Sequence, residues 1–229
     1  PSKIISVDSV QLYKGANIGS SKPDQEILEK IYHGLINLLD LEDDFSVKDF
    51  LNEVSYELFD FKEDLIFVGG TMMYFYSLFN GMSKLPEKNI KFREKIQKEA
   101  ENKGWKIIHK KLKEIDPDAA KTIKDTDSQR ILRALEVNFL SKSTFSKLKS
   151  LKEKSVIDDY QKFSFAIIPR CKKIFKNELK QRFMKMLELG LIEETKDILE
   201  RSGEKRIKVL KTVGYKQVVD FIRDKTSYE

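Results

Sequence analysis

The stretch IISVDSVQLYKGANIGSSKP, residues 4–23, decides how the beginning of the chain is interpreted. Its β-branched start, Ile4 to Val7, predicts a short strand that ends at Asp8, and polar and glycine-rich sequence follows at once. Ligands of open α/β sheets bind beyond the carboxyl ends of the strands. Asp8 is therefore a candidate to take up a proton, hold a metal ion or hydrogen-bond a base. The alternative is a strand-end aspartate that caps a turn.

Strand and helix patterns alternate through the N-terminal part of the chain. Capping patterns at Ser21 and Ser46 predict two helices, and the apolar spacing of the first continues through Ile36. The run LIFVGGT, residues 65–71, predicts a central parallel strand, and an aromatic helix follows it from Met72. The N-terminal part therefore reads as an α/β sheet.

Helical patterns replace this alternation between Pro86 and Tyr160. The helices predicted there span residues 89–102, 105–115, 117–123 and 128–140. A capping box formed by Thr126 and Gln129 is predicted to open the last of them. Residues 141–155 are predicted to form a basic linker or surface hairpin.

The strand pattern returns after this segment. The sequence FSFAII, residues 163–168, predicts a strand, and helices are predicted over residues 173–190 and 192–201. We therefore predict an α/β core made of residues 1–82 and 161–229, with an inserted all-helical domain of residues 83–160.

The positive charge of the chain is concentrated in the predicted insertion. The whole sequence has a net charge of +6. Residues 83–160 contain 20 Lys and Arg and 13 Asp and Glu, a net of +7, so the remainder has a net of −1. A positive field on one segment is typical of modules that bind polyanions. The alternative, lysines spread over every exposed helix, explains their number but not their segregation.

Composition argues against several classes of protein. Cys171 is the one cysteine, so an internal disulfide is excluded, and two histidines without a cysteine cluster do not predict a zinc site. We predict no protein metal site from the residues alone. No run of about 18 apolar residues predicts a membrane span, and no basic-then-apolar leader predicts export. We expect a cytoplasmic protein without membrane contact.

Four separated motifs carry a resemblance to a known family. The pattern S-x-D-S-x-Q-x-Y-K-x-x-x-I-G-S-x-K-P, residues 6–23, is similar to a motif of the tRNA dimethylallyltransferases, also called IPP transferases. The pattern from Gly104 to Glu136, which ends in QR-x-x-RALE, also resembles that family, as do QRFMKMLELGLIEE and VGYKQ further on. The resemblance covers nearly the whole chain. It implies a P-loop NTPase-like parallel-sheet core with an inserted helical tRNA-binding domain.

The resemblance also implies a reaction. The family transfers a dimethylallyl group from dimethylallyl diphosphate to N6 of an adenosine next to the anticodon of tRNA and releases pyrophosphate. The amine is a poor nucleophile, so a general base is useful. The implied catalytic residues are Asp8 as the base, Thr71 near the target base and Arg182 at the diphosphate. Without the resemblance, Gly69-Gly70-Thr71 would be interpreted as a turn and Arg182 as a solvated surface arginine.

The remaining implied contacts are with tRNA, at the anticodon stem-loop. They comprise Asp8, Ser9, Val10, Gln11, Thr71, Arg93, Gln129, Arg130, Ile131, Leu132, Arg133, Lys211, Thr212, Val213, Gly214, Tyr215 and Lys216. Arg130 and Arg133 share one helix face and are predicted to follow an RNA backbone. Their alternative is pairing with the nearby acids Asp127 and Glu136. The segment from Lys211 can stack and clamp single-stranded RNA, or it is an ordinary loop before a helix.

The chain departs from the family pattern at both ends. The family opens with a strand and a phosphate loop, G-x-x-x-x-G-K-[ST], which does not occur here, and usually ends in a basic helix. We therefore expect the 229 residues to be inactive without that loop. The family implies Mg²⁺ as cofactor, although its phosphate-loop ligand is missing from this chain. We expect a monomer.

Three other functions compete with this interpretation. An adenylate dimethylallyltransferase would use a free nucleotide, which does not need a basic insertion. A nucleotide kinase or NTPase could share the same fold. A non-catalytic RNA-binding fragment would agree with the missing phosphate loop.

Overall fold

The chain forms two compact units in the computed structural model. One consists of Pro1–Ser77 and Asp159–Glu229, and the other of Leu78–Asp158. The residues that the structure describes are 2–60, 64–203 and 207–225.

A parallel sheet lies at the centre of the first unit. Its strands are β1 (Lys3–Val7), β2 (His33–Gly34) and β3 (Leu65–Gly69), in the order β2-β1-β3. Ile5 is fully buried and pairs with one residue of each neighbouring strand. The predicted α/β class with a parallel sheet is confirmed.

The prediction that residues 65–71 form a central strand is wrong among the described residues. β3 lies at one edge of the sheet, and Ile66 and Val68 are about half exposed. An apolar run of this length favours burial. Its position in the sheet depends on which distant strands pair with it, and a local pattern carries no information on that.

The first helix, α1 (Gln25–Lys30), is shorter than predicted. It is capped by Asp24, whose carboxylate accepts a hydrogen bond from Ile27 N at 2.9 Å, and not by Ser21. The helix ends early because the residues after it join the sheet as β2. Strand pairing therefore overrides the helical spacing that continues through Ile36.

The next two helices follow the predictions. Helix α2 (Val47–Asp60) begins with a reciprocal capping box, in which Ser46 N donates to the Asp49 carboxylate at 2.8 Å and Asp49 N donates to Ser46 Oγ at 3.3 Å. Helix α3 (Met72–Asn80) supplies Tyr74, whose ring stacks on Phe50 with the centroids 4.3 Å apart. This stack joins α2 and α3 within the first unit.

The second unit is helical in its described residues. Its helices are α4 (Ile90–Lys103), α5 (Trp105–Ile115), α6 (Pro117–Thr122), α7 (Ser128–Ser141) and α8 (Phe145–Ser150). Ile108, Leu112 and Ile131 form the fully buried centre of its core, with Trp105 packed against it. Gly104 joins α4 to α5 with a φ of 84°, a conformation that favours glycine.

Two local predictions in this unit are wrong. Helix α7 is capped by Asp127, whose carboxylate accepts from Arg130 N at 3.1 Å, and not by a box formed by Thr126 and Gln129. An aspartate is at least as good a cap as the threonine beside it. The predicted linker of residues 141–155 contains α8, which is capped by Thr144.

Helices also form the C-terminal part of the first unit. They are α9 (Lys172–Glu188), α10 (Leu191–Ser202) and α11 (Tyr215–Ile222), with a 3₁₀ turn at Val209–Lys211. None of the described helices is long and apolar enough to cross a membrane.

The strand predicted at residues 163–168 is not formed. The segment is irregular, and Phe165 and Ile167 are almost fully exposed. A strand needs a partner for its backbone groups, and no described strand pairs with this segment.

Candidate active site

Asp8 lies at the carboxyl end of β1, as predicted. Its Oδ1 accepts hydrogen bonds from Val10 N at 2.7 Å and from Gln11 N at 3.2 Å, which close the turn after the strand. No donor to Oδ2 occurs among the residues that the structure describes. Asp8 can therefore serve both of its predicted roles, because Oδ1 caps the turn and Oδ2 remains able to accept a proton.

Thr71 is held beside this turn. Its Oγ1 accepts a hydrogen bond from Ser9 N at 3.0 Å, and its own N–H donates to Val7 O at 3.1 Å. A Cβ on Gly69 would lie 2.2 Å from Val7 O, whereas a Cβ on Gly70 would meet nothing within 4 Å. Gly69 is thus required for the close approach of β3 to β1, and the hydroxyl of Thr71 is fixed at the end of both strands.

Gln11 connects the turn to the loop of residues 15–22. Its Oε1 accepts from Ser6 Oγ at 2.8 Å, and its Nε2 donates to Ser20 O at 3.2 Å and to Ser21 O at 3.3 Å. The side-chain amide predicted to contact tRNA is therefore bonded within the protein. Its effect in this conformation is to set the position of the loop.

Arg182 meets the same loop. Its guanidinium donates to Ser21 Oγ from Nη2 at 2.6 Å and from Nε at 3.2 Å. The bond joins the first sequence motif to the QRF motif on α9, although 161 residues separate them. The structure therefore brings the segment after Asp8 and the predicted diphosphate ligand into one hydrogen-bonded network.

A cleft of about 510 Å³ opens beside Arg182. Three cations line it: Lys22, Arg182 and Lys185. Apolar side chains that include Ile18 and Met186 line it as well. A cleft that combines cations with apolar surface suits an anion carrying a short hydrocarbon chain.

Lys22 is a residue of this cleft that the sequence did not assign to the site. Its ammonium donates to Tyr13 O at 2.8 Å, to Asn17 Oδ1 at 3.1 Å and to Asn37 Oδ1 at 2.6 Å. Burial lowers the pKa of Lys22 to about 8, although the charge of Glu194 opposes the change. Its position within the first motif was the available signal, but a lysine before a proline is common in surface turns.

The segment of residues 211–216 differs from the prediction in one respect. The Tyr215 side chain is fully buried, and its hydroxyl donates to Glu194 at 2.6 Å. Its ring is therefore unable to stack on RNA, as the clamp interpretation required. Val213 is 88% exposed, and Lys211 and Lys216 are exposed as well.

The second unit contains a buried ion-pair cluster around Glu136. Arg93 makes two bonds to its carboxylate, from Nε at 2.6 Å and from Nη2 at 2.7 Å. Arg133 adds a bond at 2.6 Å, and Asn89 N donates at 2.8 Å. Burial opposes ionisation of Glu136, but the hydrogen bonds from Arg93, Asn89 N and Arg133 prevail and lower its pKa to about 2. Two arginines predicted to contact tRNA therefore hold the unit together.

The other predicted tRNA contacts of α7 differ in accessibility. Ile131 is fully buried in the core, and Leu132 packs against that core. Arg130 is exposed and pairs with Asp127, the i,i+3 alternative that the sequence left open. Gln129 is exposed. Arg130 and Gln129 are thus the accessible members of the predicted RNA-binding face.

Metal-binding groups are not clustered in the described part of the chain. No set of three or more His, Cys, Asp or Glu residues there could hold a metal ion.

Comparison with known proteins supplies the family. A family model described as IPP transferase matches residues 11–229. A tRNA dimethylallyltransferase from Francisella tularensis subsp. novicida is 35% identical over 231 residues, which cover 99% of this chain and 75% of the relative.

Two solved structures are also similar. One is a tRNA isopentenylpyrophosphate transferase from Staphylococcus epidermidis, with 27% identity, a TM-score of 0.58 and coverage of 99% of this chain and 74% of the other. The other is a eukaryotic dimethylallyltransferase acting on tRNA, with 22% identity, a TM-score of 0.74 and coverage of 98% and 57%. The second likeness shows the fold alone.

These matches favour the prenyltransferase interpretation over the nucleotide kinase and non-catalytic alternatives. The family model covers almost the entire chain, including the first motif from Gln11 onward and the three later motifs in full. The chain belongs to the IPP transferase family.

Proposed function

We propose that the full-length protein transfers a dimethylallyl group from dimethylallyl diphosphate to N6 of an adenosine next to the anticodon of tRNA. The observation that carries the proposal is the network after β1. It joins the turn closed by Asp8, through Gln11 and Ser21, to Arg182 at a cationic and apolar cleft.

Asp8 is the general base in this proposal. As the bond between C1 of the dimethylallyl group and the diphosphate oxygen breaks, C1 bonds to N6 and an N6 proton moves to Asp8 Oδ2. Positioned proton transfer of this kind contributes about 10²–10⁴-fold to a rate. Thr71, whose hydroxyl is fixed beside the same turn, is assigned to the target base.

The diphosphate is assigned to the cleft cations. Arg182 offers a planar guanidinium that can bind two phosphate oxygens, and Lys22 and Lys185 add positive charge. The apolar lining from Ile18 and Met186 suits the five-carbon chain. These groups stabilise the charge that develops on the leaving pyrophosphate.

Residues 83–160 are assigned to tRNA binding, and residues 1–82 and 161–229 to catalysis. The insertion carries the entire positive excess of the chain. We assign three exposed cations to RNA phosphates: Arg130 of the insertion, and Lys211 and Lys216 of the catalytic part. Arg93 and Arg133 act indirectly, because their guanidinium groups are committed to Glu136.

Mg²⁺ is expected for the family, but the described residues do not form an all-protein site for it. They contain no cluster of three metal-binding side chains. Octahedral Mg²⁺ usually takes one or two protein ligands together with phosphate oxygens and water. None of the steps assigned to Asp8, Thr71 or Arg182 passes through the ion.

The direct test is analysis of the product nucleoside. Unmodified tRNA is incubated with the full-length protein and dimethylallyl diphosphate, digested and analysed by mass spectrometry. We expect an adenosine heavier by one dimethylallyl group in the anticodon loop, and none when the diphosphate is omitted. Transfer of label from ATP to an acceptor nucleotide, without a prenylated nucleoside, would favour the kinase alternative instead.

Replacing Arg182 by alanine tests the assignment of the diphosphate. We expect KM for dimethylallyl diphosphate to rise, kcat to fall, or both, because the guanidinium can hold ground-state and leaving-group charge alike. KM for tRNA should stay within about twofold. The matched control is Lys176→Ala, an exposed cation of the same helix that does not line the cleft. Identical kinetics for the two variants would show that Arg182 is a surface arginine that does not bind the diphosphate.

Raising the pH tests the role of Lys22. Its pKa of about 8 means that the ammonium is charged at pH 7 and largely neutral at pH 9. We therefore expect pyrophosphate to bind more weakly at the higher pH. The neighbouring charged groups are Arg182, Lys185 and Asp24 in the cleft, and Glu194. Lys22→Met should bind weakly at pH 7 and lose less affinity by pH 9, as measured by calorimetry. Parallel pH profiles for both proteins would exclude Lys22 as the source.

A further inference from the structure

Glu194, which has so far been given no role in the reaction, accepts four hydrogen bonds. Its Oε2 accepts from Asn17 N at 2.9 Å and from Ile18 N at 2.8 Å. Its Oε1 accepts from Gly19 N at 3.1 Å and from Tyr215 Oη at 2.6 Å. Three successive backbone N–H groups that converge on one anion form a concave site of the kind called a nest. Here a side chain of the same protein, 175 to 177 residues away, occupies it.

Tyr215 fixes the other side of this contact. Its fully buried ring lies against Gly19, where an added Cβ would be only 2.4 Å from the ring carbon Cζ. Burial raises the pKa of the Tyr215 hydroxyl, and the bond to Glu194 raises it further. The tyrosine therefore stays a hydrogen-bond donor. Glycine at position 19 is explained by this ring and not by a positive φ.

Ser21 and Lys22, which follow the nest in the chain, line the cleft. Ser21 receives the guanidinium of Arg182, and Lys22 returns to bond Asn17 Oδ1. Asn17 and Ile18, whose N–H groups bind Glu194, themselves line the cleft, whereas Glu194 does not. The carboxylate is therefore not itself a ligand of a diphosphate bound in the cleft. Apart from its charge, which acts on Lys22, its effect there passes through the position of the loop.

We propose that Glu194 is a positioning residue, which together with Tyr215 holds the loop of residues 17–22 so that Ser21 and Lys22 meet Arg182 at the diphosphate cleft. The assignment of that cleft rests on the proposed function. The position of the loop does not, and it can be measured separately.

Substitution by glutamine tests whether the loop needs the acceptor oxygens of the carboxylate or only the size of the side chain. Glu194→Gln keeps the size of the side chain, but it replaces one acceptor oxygen by an NH₂ that faces donors. Tyr215→Phe removes one donor and leaves the three backbone bonds. Glu193→Gln is the matched control, because Glu193 is the exposed neighbour on α10. All three variants are made in the full-length protein.

Hydrogen exchange of the amides of residues 17–19 is the first measurement. We expect exchange to quicken about tenfold or more in Glu194→Gln, less in Tyr215→Phe and not in Glu193→Gln, with α2 unchanged in all three. The second measurement is binding of inorganic pyrophosphate by calorimetry, where Kd should rise about tenfold in Glu194→Gln. KM for dimethylallyl diphosphate should rise with it, and Kd for tRNA should stay within about twofold.

The outcomes distinguish the two ideas. Faster exchange without weaker pyrophosphate binding would overturn the positioning role and make Glu194 a purely structural contact. Unchanged exchange would overturn the proposed loop contact itself. Absence of prenylation by the unmodified protein would contradict the proposed function, while exchange and pyrophosphate binding would still decide the role of Glu194. If Glu194→Gln does not fold, Tyr215→Phe gives the same comparison with a smaller change.

Discussion

Replacing Asp8 by asparagine in the full-length protein is expected to lower kcat for tRNA prenylation by about 10²-fold or more. Asparagine can keep its Oδ1 as the acceptor for Val10 N and Gln11 N, so the turn after β1 survives. The oxygen that has no donor among the described residues becomes an NH₂, which is unable to accept a proton. Single-turnover kinetics with both substrates saturating measures the change in the chemical step.

Asp8→Ala is the matched comparison. Alanine removes the acceptor as well as the base, so we expect the same loss of kcat together with a lower free energy of unfolding, by about 1 kcal/mol for a lost cap. The affinity for tRNA should stay within about threefold in Asp8→Asn. Full activity in Asp8→Asn with loss of stability in Asp8→Ala would make Asp8 a cap and nothing more.

The local parts of the fold were predictable from the sequence. The capping box at Ser46 and the boundaries of α5 follow from the identity of a few adjacent residues, because caps and helical periodicity act within one or two turns. Local errors occurred where Asp24 and Asp127 replaced the predicted caps of α1 and α7, and where α8 formed in the predicted linker. The errors in the sheet concern pairing at a distance. The predicted end of the first helix forms β2 instead, because its backbone pairs with β1. The segment FSFAII forms no strand, because no described strand pairs with it.

The site shows the same division. Asp8 and Arg182 were assigned to the site from motifs, and the structure adds the network that joins them. Glu194 was missed because a glutamate on an amphipathic helix has no local sign of its partners, which lie more than 170 residues away. For Arg133 the sequence left both RNA contact and pairing with Glu136 open, because spacing on a helix does not show that Glu136 is completely buried. Because Glu136 is buried, the pair that Arg133 forms with it contributes to the stability of the second unit.

Reversing the charge of Arg133 is expected to destabilise the second unit by about 3–5 kcal/mol, the usual cost of breaking a buried ion pair. Glu136 has no exposed surface, so Arg133→Glu would bring a second carboxylate against one that cannot reach water. Arg130→Glu is the matched control three residues away on α7. Arg130 is 72% exposed in a pair with Asp127, and such surface pairs contribute about 0–1 kcal/mol.

Trp105, the one tryptophan of the chain, packs against the core of the second unit, so its fluorescence during urea unfolding reports on that unit. We expect a large loss of stability in Arg133→Glu and little in Arg130→Glu. Equal stability of the two variants would contradict the buried cluster.

Acid provides an independent test of the same cluster. The pKa of Glu136 is about 2 in the folded chain against 4.5 ordinarily, so its ionised form stabilises the fold. That contribution is complete above about pH 4.5 and disappears as the pH falls toward 2. Glu136→Gln should therefore be less stable than the unmodified protein at pH 7, and the difference should shrink between pH 4.5 and 2.

Of the two arginines of α7, Arg130 is the one whose charge can be reversed without breaking this cluster, so Arg130→Glu tests RNA binding by the insertion. It should weaken tRNA affinity and reduce its dependence on salt, whereas the same affinity and salt dependence as the unmodified protein would remove Arg130 from the RNA-binding face.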